Sequence, residues 1–251
     1  MRLFWHQLRS EQLIFWRNRE SAVFIFIFPL LLFVLLGSLY SGEIPINGVD
    51  YPAADVLLVG MMGYGAANTA FAGLAITLVV RREYGILKRL RSTPLPAATY
   101  LGAVLTSSLI VFTLQVLTLF VLGRFVYDTA SPARIGSLGL LAVLGVVAFA
   151  GLGIGSAALI RSAEGASAVL NVVLLPMAFL SGSFGGRDYP EVLQAIANVL
   201  PLKYFIDLLR AVYLEGEAAW SNPGWIAVVL AWGLGGAIIG TRRFGWEPRE
   251  R

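Results

Sequence analysis

Four stretches of this chain, residues 56–80, 101–123, 136–160 and 167–184, contain no Asp, Glu, Lys or Arg. Each comes close to or exceeds the roughly 20 apolar residues with which a helix crosses a hydrocarbon core of about 30 Å. In lipid the backbone polar groups have no water to turn to, so a helix, which satisfies them internally, is the form such runs take. With 57% hydrophobic and 14% charged residues over 251 positions, a soluble domain is excluded and an integral membrane protein is implied. Six spans are expected: 22–40, with Pro29 inside; 55–80; 97–126; 136–160; 167–184, kinked at Pro176; and 225–240, closed by Trp225 and Trp232. The expected fold is an all-α membrane protein with residues 1–251 as one transmembrane domain. Small residues four apart, as at Gly151 and Gly155, allow close helix packing in lipid.

The densest charge lies between the second and third spans, in RREYGILKRLRSTPLP at 81–96. Helical spacing puts Glu83, Ile86, Leu87 and Leu90 on one face and Arg82, Lys88 and Arg89 off it, and Thr93-Pro94 and Pro96 end the helix. An apolar stripe outside the membrane needs something to bury against. Either a partner protein or the chain's own N-terminal helix, through Phe4, Leu8 or Phe15, satisfies that need. Residues 1–20 form an amphipathic interfacial helix, with Phe4, Trp5, Leu8, Phe15 and Trp16 on one arc and Arg2, His6, Arg9 and Arg17 opposite; Leu13 and Arg19 break the pattern. The alternative is a positive flank to a cleaved signal peptide, but the apolar run behind it is long for that and lacks a small-x-small cleavage site, so the segment is expected to be retained.

A second informative stretch, 187–222, has Val192, Leu193, Ile196, Val199 and Leu200 at helical spacing, then Pro201, then a second short helix over 202–214. As one span it would carry Lys203, Asp207 and Arg210 into lipid, where each charge costs about 3 kcal/mol. Two half-helices that enter and return are the cheaper arrangement, with Pro201 at the tip and Tyr204 and Asp207 beyond it. Asp207 and Arg210, three apart, either pair with each other or serve an outer gate.

Six spans with the N-terminus inside put Arg2, Arg9, Arg17, Arg19, Arg81, Arg82, Lys88, Arg89, Arg91, Arg161, Arg242, Arg243, Arg249 and Arg251 on the cytoplasmic side, 14 of the 19 basic residues. That asymmetry supports cytoplasmic termini and reads the net charge of +4 as a topology signal, not as a nucleic-acid surface. The charge-free spans argue against ion coupling. No phosphate loop exists, there is no cysteine, and the one histidine is His6, so no catalytic or metal-binding set is expected on this chain. Asn68, Thr69, Gln115 and Asn171 are the polar groups inside the spans; they suit interhelical hydrogen bonds or, at Asn68, Thr69 and Asn171, a pathway.

NVVLLPMAFLSGSF from Asn171, followed by LPLKYFIDLLR up to Arg210, resembles the signature of ABC-2 type transporter permeases, and REYGILKRLRSTPLP resembles that family's first intracellular loop, E-x-G-x-L-x-x-L-x-x-T-P. The resemblance covers nearly the whole chain and is closest to the daunorubicin-resistance-like branch of drug exporters. It implies a permease without its own ATPase in a prokaryotic plasma or inner membrane. Glu83, Ile86, Leu87 and Leu90 would form the coupling helix to a separate ATP-binding-cassette subunit that holds ATP and Mg. Pro201, Tyr204, Asp207 and Arg210 would sit at the outer gate, and a second permease copy, the same or similar, would complete a pathway for a hydrophobic or amphipathic substrate along the first, second and fifth spans. Export of a lipid-linked polysaccharide is the alternative within the family, and a non-transport membrane scaffold or enzyme subunit the alternative outside it. Two positions depart from the family pattern: Gly185-Gly186-Arg187, where apolar residues and proline are frequent, and Lys203, where threonine is usual.

Overall fold

The structure, a computed structural model, describes residues 1–40, 42–46, 48–185 and 189–243. Helix α1, Arg2–Arg17, is followed by α2, Arg19–Leu39, which carries Pro29 in its interior. A short antiparallel hairpin comes next, β1 (Glu43–Ile46) and β2 (Val49–Pro52), with Ile44 opposite Tyr51. It departs from the all-α expectation for a local reason: Pro45 and Pro52 remove helical donors, and β-branched Ile44, Ile46 and Val49 favour extended backbone.

The second span is one continuous helical rod, Ala53–Glu83, made of α3 (Ala53–Ala66), a π-helical turn (Ala67–Gly73) and α4 (Leu74–Glu83). Every residue from Asp55 to Ala72 is buried, so this span is the axis around which the others pack. It runs three residues past the expected boundary because Arg81, Arg82 and Glu83 all find partners in neighbouring elements. After it come α5 (Ile86–Arg91), α6 (Ala97–Tyr127), α7 (Ile135–Leu159) and α8 (Ala163–Leu180, with Pro176 inside). Then α9 (Glu191–Ala197) and α10 (Pro201–Tyr213) meet at an angle of 81°, and α11 (Pro223–Arg243) closes the described chain. Among the described residues, six helices are long and apolar enough to cross a membrane, and α9–α10 is the bent pair between the fifth and sixth.

The glycine spacing at 151 and 155 has a direct structural use. A Cβ at Gly151 would stand 2.2 Å from the Gly233 carbonyl oxygen, and one at Gly155 would stand 2.6 Å from that of Gly236. Helices α7 and α11 therefore touch backbone to backbone, and dispersion contacts replace the hydrophobic drive that lipid does not supply. The molecule has two ends. One holds α1, α5, the start of α6, the end of α7 and the start of α8, and is rich in arginine; the other holds the hairpin and the entry to α9.

Candidate functional site

The last turn of α4 carries three consecutive charges, and each is tied to a different element. Arg81 donates from Nη1 to Glu11 Oε1 at 2.9 Å and from Nη2 to Glu11 Oε2 at 2.6 Å, a two-pronged pair with α1, and its Nη1 also reaches the Tyr100 hydroxyl of α6 at 2.7 Å. Arg82, 1% exposed, donates to the carbonyls of Ala157 at 2.8 Å and Ile160 at 2.5 Å. Those carbonyls lie at the C-terminal end of α7, where acceptors lack intrahelical donors and the helix dipole favours a cation. Glu83 accepts from the Ala163 N–H, the first helical position of α8, where the dipole favours an anion. These bonds fix one turn to α1, α6, α7 and α8. Both partners of the Arg81–Glu11 pair are over nine-tenths buried, so either one left alone would be an uncompensated charge in a low-dielectric setting.

This geometry corrects the expectation of one helix over 81–96. Gly85 takes φ +69, a conformation that costs glycine nothing, and it separates α4 from α5. Glu83 therefore does not share a helix with Ile86, Leu87 and Leu90. Leu87 is fully buried within the chain and Leu90 half-buried, whereas Ile86 and Tyr84 are exposed, at 41% and 71%. Arg82 is no solvated residue off the stripe but the most enclosed charge in the described structure. On α1, Leu8 and Glu11 face the bundle with Phe4 and Phe15 at its margin, while Trp5 and Trp16 stay exposed. Gln12 donates to the Ser107 hydroxyl at 2.8 Å, fixing α1 alongside α6.

At the opposite half, Pro201 opens α10 at its first helical position, where its missing N–H has no role. The apolar side of α10 is sunk into the bundle: a Cβ at Gly63 would stand 2.3 Å from Ile206 Cγ1. Its polar side holds Asp207 between Lys203 (3.1 Å) and Arg210 (3.4 Å), so Asp207 and Arg210 do pair with each other. Arg210 also donates to the Gly182 carbonyl, just past α8, at 3.2 Å. Its Nε and the buried hydroxyls of Ser181 and Ser183 find no partner among the described residues. Tyr204 donates to the Asn198 carbonyl at 2.7 Å, and Trp232 of α11 to that of Val199 at 2.9 Å, which together hold the elbow. Gly186 and Arg187 lie outside the described residues. Beside the hairpin, the Tyr51 phenol is held above its ordinary value, by burial first and the Glu215 carboxylate second.

The three pathway candidates are not brought together. Asn68 and Thr69 are buried in the π turn, with Thr69 Oγ1 3.5 Å from Gln115 Oε1, and Gln115 donates to the Ile25 carbonyl at 3.1 Å. Asn171 lies exposed on α8 and donates to Ser167 one turn back. Among the described residues no cluster of three or more His, Asp or Glu is placed to hold a metal. Sequence reasoning missed Glu11 and Arg82 as site residues; their signal was a charge adjoining apolar neighbours on helices otherwise bound for burial.

Six spans, a basic-end helix hung from the second and a bent pair before the sixth are the layout expected from the sequence. The ABC-2 type transporter family model aligns with residues 2–214 of the chain. The chain belongs to the ABC-2 type transporter family. It is 26% identical over 232 residues to a putative transport permease, ycf38, of Porphyra purpurea, covering 87% of this chain and 75% of that one. It is 25% identical over 167 residues to the inner membrane transport permease YhhJ of Escherichia coli, 64% of this chain and 43% of that one. It is also 26% identical over 153 residues to the probable multidrug ABC transporter permease YbhS of the same organism, 59% and 41%. The match thus covers three quarters of the algal relative and under half of either bacterial one. As an ABC-2 permease the chain is a multi-pass membrane protein.

Proposed function

We propose that this permease is the transmembrane subunit of an ATP-binding-cassette exporter that moves a hydrophobic or amphipathic, drug-like or lipid-like substrate outward. The single observation that carries the reading is the clamp: α5, with Tyr84 and Ile86 exposed beside it, hangs directly from a turn tethered to α1, α6, α7 and α8. A push on α5 reaches all four at once, which is what a coupling element requires. ATP and Mg reside on a separate cassette subunit, since this chain has no phosphate loop. The basic end lies in the cytoplasm, as the arginine asymmetry favours. A second copy faces this one across the exposed sides of α2 and α8, where Phe24, Ile27, Leu31, Val172 and Phe179 present an apolar wall and Asn171 a polar point. A relative named as a probable multidrug permease supports the drug-like substrate class.

The test uses the tagged full-length chain, purified in mild detergent, with co-purifying protein identified as an ATP-binding-cassette ATPase by mass spectrometry. Tyr84→Asp with Ile86→Asp should leave the permease monodisperse and remove the ATPase. Replacing Leu87 would disturb the core and does not serve as this test. An ATPase that stays bound to the double variant would place the docking surface elsewhere.

A further inference from the structure

The second span connects the clamp to the re-entrant pair, and it is not uniformly α-helical. Over Ala67–Gly73 it winds as a π-helix, whose i→i+5 bonding accommodates one residue more than the α-helix around it. Both halves of the span are anchored. Toward the hairpin end α3 is keyed to α10 where Gly63 meets Ile206; toward the basic end α4 is fixed by Arg81, Arg82 and Glu83. The π turn is the stretch between these anchors.

Three observations set the turn apart from the rest of the span. Asn68 is buried, yet its Nδ2 finds no acceptor among the described residues, and a buried amide donor without an acceptor calls for an explanation. The hydroxyl of Thr69 is 3.5 Å from Gln115 Oε1, at the outer limit of a hydrogen bond. The facing helix is shaped for the wide turn: a Cβ at Gly153 of α7 would stand 2.8 Å from the Phe71 carbonyl oxygen and 2.9 Å from that of Ala70. We infer that Ala67–Gly73 is the joint of the second span. It is the place where the clamped half, moving with α5, bends and twists against the half keyed to α10, so that a stroke at the basic end reaches the re-entrant elbow in graded form. Its weaker bonding lets it yield where α3 and α4 do not, and the unpartnered Asn68 amide is a donor whose acceptor belongs to the moved state.

This inference rests on the exporter reading, and its test separates the two. In the permease–ATPase complex, Arg91→Cys, exposed at the end of α5, reports the basic end and Val199→Cys the elbow, each by maleimide labelling rate without nucleotide and with ATP plus vanadate; the chain has no native cysteine to interfere. Deleting Ala70 removes one residue from the π turn and leaves a uniform α-helix with both anchors in register. Deleting Ala75, in regular helix, rotates the clamp residues away from their partners. The Ala70 deletion should insert, keep its ATPase and keep the nucleotide-dependent change at Arg91→Cys, but lose the change at Val199→Cys. The Ala75 deletion should fail to hold the ATPase. Gly153→Ala, which crowds the turn without deleting anything, should reduce the response at Val199→Cys while sparing that at Arg91→Cys. A full response at Val199→Cys in the Ala70 deletion would overturn the joint, and so would failure of that deletion to assemble, since the turn would then hold no removable residue. A wild-type chain that binds no ATPase would instead remove the exporter reading beneath it.

Discussion

The clamp on α4 and the triad on α10 are both built from arginine and carboxylate, yet they do different work. In the clamp the bonds described above cross from one element to another, and those measured at 2.5–2.9 Å run from arginine to Glu11, Tyr100, Ala157 and Ile160. In the triad, Lys203 and Arg210 pair with Asp207 on their own helix at 3.1 and 3.4 Å, and among the described residues one 3.2 Å bond, Arg210 to Gly182, leaves it. Charges spent within one helix stiffen that helix and hold little else. Charges spent on the ends of other helices, where carbonyls and N–H groups lack partners, join elements into one body. Under the proposed exporter reading, the clamp would transmit motion and the contact of α10 with Gly182 would yield to it.

The largest effect should come from halving the buried pair. Glu11→Ala leaves Arg81 buried without its carboxylate and should cost about 3–5 kcal/mol of folding stability, seen as a lower midpoint in thermal unfolding in detergent. Glu11→Leu with Arg81→Leu removes both charges and should recover most of that loss. If the double replacement were as damaging as the single one, the pair would not be an isolated electrostatic unit. Asp207→Asn is expected to cost less, about 1–3 kcal/mol, because Arg210 keeps its bond to Gly182 and Lys203 is partly exposed. A loss equal to that of Glu11→Ala would erase the contrast between the two regions. Glu83→Gln keeps an acceptor at the start of α8 and removes only its charge, so a loss of about 0.5–1 kcal/mol is expected, shrinking further in high salt.

Much of this fold was legible in the chain. Segments without charge located the spans, Pro201 with Lys203, Asp207 and Arg210 located the bent pair, and Gly151 and Gly155 marked a seam that α11 fills with glycines of its own. What stayed hidden has physical reasons. The periodicity of 81–96 runs through Gly85 unbroken, and only the sign of φ reveals the break. Arg82 looks like any membrane-flanking arginine until the carbonyl end of α7, some 75 residues away in sequence, is folded against it. Glu11 sits in an amphipathic helix where an acidic residue reads as solvated. The π turn leaves no compositional trace, because it is a matter of which carbonyl each N–H chooses. The hairpin is too short for its alternation to stand out among prolines.

The most direct measurement is amide hydrogen exchange of the permease–ATPase complex, read by mass spectrometry without nucleotide and with ATP plus vanadate. Exchange reports the local opening free energy of each segment. Peptides covering 78–83 and 157–163 should exchange slowly and alike in both states, while those covering 181–185 should exchange faster and change on trapping. Protection that is stable at 181–185 and lost at 78–83 would reverse the roles of the two regions and contradict the account.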